Sequence, residues 1–386
     1  MTSYDYIIVG SGFAGAVCAR ELASRSNKKV LVIEKREHIA GNAYDCHDNT
    51  GILIHKYGPH IFHTESSRVF NYLSRFCEWR PYEHKVVAKV NDLELPVPFN
   101  LNSLHLAYEK DKADSLEKKL IESYGAEKKI PISVLRESRD SDIRELAEYV
   151  YNNIFLHYTV KQWGKTPEEI DPATTARIPV FLSRDDRYFQ DKYQGMPKKG
   201  YTALFERMLD HPNIEVRTGF LASEFIELKN EKIYFCKEEF DGGVIYSGAL
   251  DELFEYKFGQ LPYRTLDFVF EQHTHTHYQS HGTVNYTVDM PFTRITEFKY
   301  LTGQQKKDRT TIVKEYSKEY NAKSSQIPYY PVINPESCAL YQKYAKEAKN
   351  YPSLFLAGRL AEYKYYNMDQ IVLQALELCD KLISIK

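Results

Sequence analysis

Tyr4-Asp5-Tyr6-Ile7-Ile8-Val9-Gly10-Ser11-Gly12-Phe13-Ala14-Gly15 is a short apolar strand running into a G-x-G-x-x-G, with good helix formers at helical spacing from Ala14 to Ser24. A second apolar strand, Lys29 to Glu34, closes a β-α-β unit. Each glycine has its own reason. Gly10 permits the tight turn, Gly12 lets backbone amides approach a pyrophosphate, and Gly15 lets helix and strand pack closely. The helix N-terminus at Phe13 and Ala14 then offers free amides and partial positive charge to phosphates. Glu34 is placed to accept from ribose hydroxyls; read alone, it is a solvated acid at a strand end. A lone glycine motif is weak, but strand, helix and acid together predict a dinucleotide site. Gly41-Asn42-Ala43 and the late turn Leu356-Ala357-Gly358-Arg359 favour FAD over NAD, because an extended FAD crosses the domain and is met again near the end of the chain.

Outward from this unit the pattern changes twice. Residues 65 to 76 and about 101 to 157 carry apolar residues three and four apart among charges, as in Leu116, Leu120, Ile143, Leu146, Val150 and Ile154. Pro131 and the stretch Arg139 to Asp142 break this helical region into pieces. Around 83 to 97, 215 to 240 and 265 to 318, β-branched and aromatic alternation predicts antiparallel strands. Ser353 to Ala357 and Gln370 to Ile385 then return to strand and amphipathic helix. The fold class expected is α/β: a discontinuous Rossmann-like FAD-binding domain (1–80, 205–262 and 340–386), a helical insertion (98–160) and a twisted antiparallel-sheet substrate domain (81–97, 161–204 and 263–339).

Composition excludes several functions. Lys plus Arg number 51 against 53 Asp plus Glu, without a long single-sign block, which argues against nucleic-acid binding or a polybasic membrane anchor. No apolar run approaches the roughly 18 residues needed to span a bilayer, and the first residues lack the regions of a secretory signal. A cytoplasmic enzyme with small-molecule partners is expected. Cys18, Cys46, Cys77, Cys236, Cys338 and Cys379 are scattered, so buried free thiols are expected and no metal site. Tyrosine is abundant, with 31 copies, and an amphipathic ring suits a pocket for sugars and phosphates.

Beyond the glycine motif, the segments Val32-Ile33-Glu34-Lys35-Arg36, His55 to Thr64, Tyr158-Thr159-Val160-Lys161-Gln162-Trp163-Gly164, Arg177-Ile178-Pro179-Val180, Asp191 to Gly195, Tyr329-Tyr330-Pro331-Val332 and Gly358 to Tyr366 resemble the bacterial UDP-galactopyranose mutase family along essentially the whole chain. The resemblance implies a redox-neutral isomerase. In that family the N5 of reduced FAD attacks the anomeric carbon, UDP leaves, the adduct opens through an iminium, and the sugar closes through its other hydroxyl. It further implies that Arg177 and Arg294 hold the diphosphate, that residues 165–180 form a mobile lid, and that Tyr188, Tyr330 and Tyr365 bond the phosphates. Tyr158, Thr159, Trp163 and Asn285 match positions around uridine and sugar. His60 and His63, which as bare residues read as satisfied polar groups near a core, fall beside the flavin and sugar. Lys35, Gly41, Asn42, Ile61, Arg359 and Met368 match cofactor-contacting positions, and a homodimer through the helical insertion is implied by analogy.

Departures from the family lie where the sugar would sit. Asn367 stands for an aspartate, His84 for an asparagine, and Ala176 for a basic residue. They leave three candidate sugars: UDP-galactopyranose, UDP-N-acetylgalactosamine and UDP-arabinopyranose. The alternatives are a flavin-dependent oxidoreductase on the same fold, since fold does not fix function, and a non-catalytic flavin-binding protein.

Overall fold

The computed structural model describes residues 4–164, 179–288, 290–322 and 326–384. Tyr6–Val9 and Val30–Glu34 lie parallel with Tyr6 opposite Val30 and Val9 opposite Ile33, joined by the helix Phe13–Ser26. The helix stops where Asn27 takes a left-handed conformation, φ 52°, and its N–H returns to the Leu22 carbonyl. Every residue of Val30–Glu34 is buried, as an inner parallel strand covered on both faces must be. The sheet runs in the order Ile214–Thr218, Val30–Glu34, Tyr6–Val9, Gly243–Tyr246, Leu354–Leu356, all parallel. Ala16, Val17 and Leu22 pack with Val372, Ala375 and Leu376 of the last helix, Met368–Ser384, on one face. Ile7, Leu31, Ile33 and Val244 face the other, where Tyr344 and Ala348 of helix Pro335–Ala348 close the core.

A seven-stranded sheet stands beside it, ordered Tyr330–Pro331, Tyr263–His273, Thr310–Glu319, Arg294–Glu297, Thr283–Tyr286, Val86–Val90, Leu93–Val97. The expected antiparallel pairing holds except between Thr283–Tyr286 and Val86–Val90, which run parallel. That exception has a cause: the chain between them builds the helical insertion and more, so no hairpin dictates their direction. The alternation at 215–240 also divides. Ile214–Thr218 joins the parallel sheet as its edge, and only Ile226–Lys229, Lys232–Phe235 and Glu238–Glu239 form an antiparallel meander.

The helical insertion packs Leu116, Leu120, Ile143, Leu146 and Val150 onto Val86, Ala88, Leu95 and Val97 of the large sheet's edge hairpin. Its breaks fall where the sequence puts them: Pro131 precedes the helix Ile132–Arg136, and Asp140 caps Ser141–Val150 by accepting from the N–H groups of Asp142 and Ile143. After Val150 the chain widens into a π-helical turn, Tyr151–Leu156, before the helix His157–Trp163. Residues 179–204 run along the seams: Val180 and Leu182 enter the helical core, while Tyr193–Pro197 pairs between Phe62–Thr64 and Trp79–Pro81 in a small antiparallel sheet. Among the thiols, Cys18 and Cys379 are buried, Cys46 and Cys77 half-buried, and Cys236 and Cys338 exposed, so the expectation of buried thiols applies to the first pair only. Among the described residues no helix is long and apolar enough to cross a membrane, and no group of side chains is arranged to hold a metal ion.

Candidate active site

The turn after the first strand leaves no room for side chains. Gly10 has φ +96°, and a Cβ there would lie 2.2 Å from Ser247 Oγ; a Cβ on Gly15 would lie 1.9 Å from the Gly10 carbonyl oxygen. Gly41, at φ +55°, would bring its Cβ to 3.0 Å from Gly12 Cα. The late turn meets the early one at Gly358, φ +96°, whose Cβ would sit 3.2 Å from that of Ala14. Between these turns opens a cavity of about 840 Å³. Gly10, Gly12, Phe13, Ala14, Glu34, Lys35, Gly41, Asn42, His60, Arg359 and Met368 line it; Gly15 and Ile61 lie beside it in the packing.

Glu34 is buried and shared: Oε2 accepts from the backbone and hydroxyl of Ser11 at 2.9 and 2.8 Å, and Oε1 from the Arg36 N–H at 3.1 Å. Arg36, which sequence reasoning passed over, stacks its guanidinium 4.2 Å from the Tyr57 ring centre and donates to Asn42 Oδ1 at 2.8 Å. Its Nη1 is buried without a protein partner at the cavity wall. A buried donor without an acceptor is costly. Backbone cradle, acid and free guanidinium donor together fit an extended dinucleotide.

His60 carries the cleft toward the large sheet. Its Nδ1–H donates to the Gly58 carbonyl at 2.8 Å, which leaves Nε2 as the acceptor of the neutral ring. Burial, then the neighbouring His55, Arg359 and Arg294, lower its pKa to about 3. His55 is lowered to about 4 by burial alone, and its Nδ1 accepts the His60 N–H at 3.0 Å. His63 stacks on Phe189, ring centres 3.6 Å apart, and its Nδ1–H donates to Asp191 Oδ2 at 3.1 Å. The His84 and Phe189 ring centres lie 6.1 Å apart, and His84 is bonded through Nδ1 to the Tyr82 hydroxyl at 3.1 Å. Burial, with Arg294 and His63, lowers His84 to about 3.

The face of the large sheet supplies the charges. Asn285, Arg294, Glu315 and Phe268 are direct cross-strand neighbours, so their side chains share one face. Arg294 Nε donates to Glu315 Oε1 at 2.7 Å, and Glu315 is 1 % exposed. Burial opposes the guanidinium's charge, but Glu315 and Tyr158 outweigh it and raise its pKa. With Nε engaged, the two terminal nitrogens remain as a fork. Tyr158 and the buried Thr159 come from the helix His157–Trp163, held to the sheet by Lys161, whose Nζ donates to the carbonyls of Tyr286 and Met290 at 2.6 and 2.9 Å. Trp163 lies 6.2 Å from Tyr330, which stacks on Tyr365 at 5.6 Å and 16°. Arg359 sits over both tyrosines, 5.2 and 5.3 Å from their centres. Burial raises Tyr158 and pushes Tyr330 up to about 12, so both phenols keep their protons.

The fold thus gathers His60, His63, His84, Tyr158, Trp163, Tyr188, Arg294, Tyr330, Arg359 and Tyr365 where cleft and sheet meet. Asn285 adjoins Arg294 with its Oδ1 buried and unpartnered. Asn367 is exposed, its N–H donating to Gln370 Oε1 at 2.9 Å. Lys35 is half exposed, with Nζ 3.9 Å from Glu252. Arg177, Ala176 and the expected lid up to residue 178 lie outside the described residues. Glu315 and Asp191 were missed; only their partners, brought by folding, give them a role.

A family model described as UDP-galactopyranose mutase matches residues 153–365, and one for an NAD(P)-binding Rossmann-like domain matches residues 8–76. A probable UDP-galactopyranose mutase of Klebsiella pneumoniae is 37% identical over 387 residues, covering 100% of this chain and 96% of the relative. A dTDP-fucopyranose mutase of Escherichia coli is 36% identical over 373 residues, with 96% of both chains covered. A UDP-galactopyranose mutase of Mycoplasma pneumoniae is 34% identical, covering 98% and 96%. Among solved structures, a reduced UDP-galactopyranose mutase superposes with TM-score 0.73 at 15% identity, covering 100% of this chain and 95% of that one. A putative protoporphyrinogen oxidase from Exiguobacterium superposes with TM-score 0.60 at 12% identity, covering 99% of both; these two likenesses speak for the fold.

Proposed function

The chain belongs to the UDP-galactopyranose mutase family, a family of isomerases, and on that premise we propose that it interconverts the pyranose and furanose forms of a nucleotide diphosphate-linked sugar, with FAD as cofactor. Backbone amides at the start of Phe13–Ser26 would hold the pyrophosphate of the cofactor, and Glu34 and Arg36 its ribose. Reduced FAD held there would supply the electron pair for displacement of the nucleotide from the anomeric carbon.

The observation that carries the reading is the Arg294–Glu315 pair beside His60 on the sheet face. A departing diphosphate gains charge as its bond breaks, and a preorganised guanidinium fork answers that charge where water is excluded. Glu315 orients the fork and balances its charge before substrate arrives. The protonated hydroxyls of Tyr158 and Tyr330 donate to phosphate oxygens, while Trp163 and Thr159 receive the base and sugar. His60, neutral with Nε2 free to accept, faces the reacting region without adding positive charge there.

Relatives of nearly equal identity act, by name, on UDP-galactopyranose and dTDP-fucopyranose, so the sugar is tested as a set. Dithionite-reduced enzyme is incubated with UDP-galactose, UDP-N-acetylgalactosamine, UDP-arabinopyranose and dTDP-fucose, and one of them yields furanose product without stoichiometric use of reductant. No furanose from any of the four rejects the mutase. An oxidoreductase on this fold would instead consume NAD(P)H or oxygen in proportion to product, and it has no use for a paired arginine beside stacked tyrosines. The exposed Leu106 and Val134 on the helical insertion, 52% and 43% accessible, support a homodimer through that unit. Sedimentation of a Leu106→Glu variant checks it. We place the enzyme in the cytoplasm.

A further inference from the structure

Besides the cofactor cleft, and sharing no lining residue with it, a cavity of about 390 Å³ lies between the strand Trp79–Pro81, the loop after Tyr263–His273 and the turn that follows helix Phe298–Thr302. Arg80, Lys299, Lys306 and Lys307 contribute to its walls, and no aspartate or glutamate does. Among the described residues none of these four cations forms an ion pair. Two acids close by in the chain are already engaged. Glu297, buried, accepts from His277 Nδ1–H at 3.1 Å, from the N–H groups of Tyr278 and Gln279 at 3.0 and 3.1 Å and from the Thr310 hydroxyl at 2.6 Å. Asp308 pairs with Arg309 at 2.9 Å.

The cations differ in what they have left to donate. Lys299 is 4 % exposed and directs its ammonium hydrogens to the carbonyls of Thr276 at 2.6 Å, Arg309 at 3.1 Å and Lys306, which fastens the loop around it. Lys306 donates to the Thr50 carbonyl at 2.6 Å. Arg80 is only partly committed: Nη2 donates to the carbonyls of Tyr300, at 3.2 Å, and Leu301, while Nε is buried without a partner. Gly303, at φ +74°, lets the guanidinium approach, since a Cβ there would lie 3.0 Å from Nε. Lys307 is exposed and makes no hydrogen bond within the described residues. Read alone, Lys306 and Lys307 are a solvated basic loop. A buried guanidinium donor and a buried ammonium on the same wall, with no acid facing either, call for more: like charges gathered in a concave wall raise the local potential, and an unmade buried bond is costly. An anion relieves both.

We propose that this cavity binds a small phosphate-bearing anion, at a site separate from those of the substrate diphosphate and the cofactor. A phosphate group offers several charged acceptor oxygens at once, which the Arg80 guanidinium and the Lys306 and Lys307 ammonium groups meet together. The volume falls within the range of about 300–1,000 Å³ usual for small-molecule pockets. Tyr300, with the His277 ring centre 4.6 Å away, adds an aromatic wall.

The test uses FAD-loaded enzyme saturated with UDP, so that cofactor and diphosphate positions are filled, titrated calorimetrically with inorganic pyrophosphate. One further site per chain is expected. Arg80→Gln should weaken it about tenfold or more, and Lys307→Glu, a change at an exposed position, about threefold, while heat from any displaced UDP stays the same in all three proteins. If Arg80→Gln does not fold, Lys307→Glu decides. Titrations with phosphate and with adenosine monophosphate separate two sources of the same group: tighter binding of the nucleotide assigns the cavity to a nucleotide lying against Tyr300, and equal or weaker binding assigns it to inorganic phosphate or pyrophosphate. Absence of a further site with all three probes, or an affinity unchanged in either folded variant, overturns the proposal. Binding is read without turnover, so a failure here is distinct from a failure of the mutase reading.

Discussion

In the dinucleotide cleft the recognising groups are backbone amides, and the decisive residues are those without a side chain: Gly10, Gly15, Gly41 and Gly358, each set where a Cβ would meet another atom. On the sheet face the reverse holds. There Arg294, Glu315, Tyr158, Tyr330 and Arg359 recognise through long side chains drawn from distant strands and helices. The glycine turns of the cleft therefore tolerate almost no added volume, whereas the face tolerates shape changes but not an unbalanced charge.

Removing a charge from the face should have the largest effect. Arg294→Ala leaves Glu315 buried and alone, a situation that costs about 3–5 kcal/mol. UDP affinity measured by calorimetry, turnover and melting temperature should all fall. If melting alone were unchanged, Glu315 would not depend on its partner and the contrast would break. Adding volume to the cleft comes next. Gly10→Ala combines a left-handed φ with a Cβ 2.2 Å from Ser247 Oγ, and overpacking of this kind costs about 1–3 kcal/mol. Its signature is loss of yellow colour per mole of protein, with UDP binding to the remaining holoenzyme preserved.

Acid should weaken the junction between the two regions. Unfolded histidine binds a proton below about pH 6.5, whereas folded His55, His60 and His84 stay neutral down to about 4, 3 and 3. The unfolded state thus holds more protons in this window, so stability is lost as pH falls from about 6.5 toward 4, by up to about 1.4 kcal/mol per unit for each ring. Denaturant midpoints at pH 7 and 5.5 measure it, and His84→Phe should flatten the slope. Smallest is Tyr330→Phe, which keeps the stack on Tyr365 and removes one hydroxyl. A loss of about 0.5–1.5 kcal/mol in UDP binding is expected, without change in flavin content.

The same contrast decides what could be read in advance. Strand, glycine turn, helix and Glu34 fall within one short stretch, and each residue type has a local steric or electrostatic cause, so the cleft and its sheet were legible. The face was not legible from residues alone. Arg294 has no role that its neighbours in sequence reveal, and only the family resemblance placed it, because Glu315 lies 21 positions on in another strand. Asp191 lies in a segment that matches the family, but it is 128 positions from His63, and only folding brings the two together. Arg36 was passed over for a different reason: its value lies in a nitrogen left without a partner, which only packing reveals. The parallel pair in the large sheet escaped because alternation tells which side chains share a face and is silent on direction.

The π-helical turn Tyr151–Leu156 has a bearing on how such chains can diverge. A wider turn accommodates one residue more than an α-helix over the same rise. Loss of a single residue there would relax the turn to ordinary α-helix and keep Tyr158 and Thr159 close to the same face, so a one-residue deletion between Val150 and His157 should be tolerated in working relatives. Loss of a second residue, with no wide turn left to absorb it, would rotate everything after it by about 100° and carry Tyr158 and Thr159 off the sheet face.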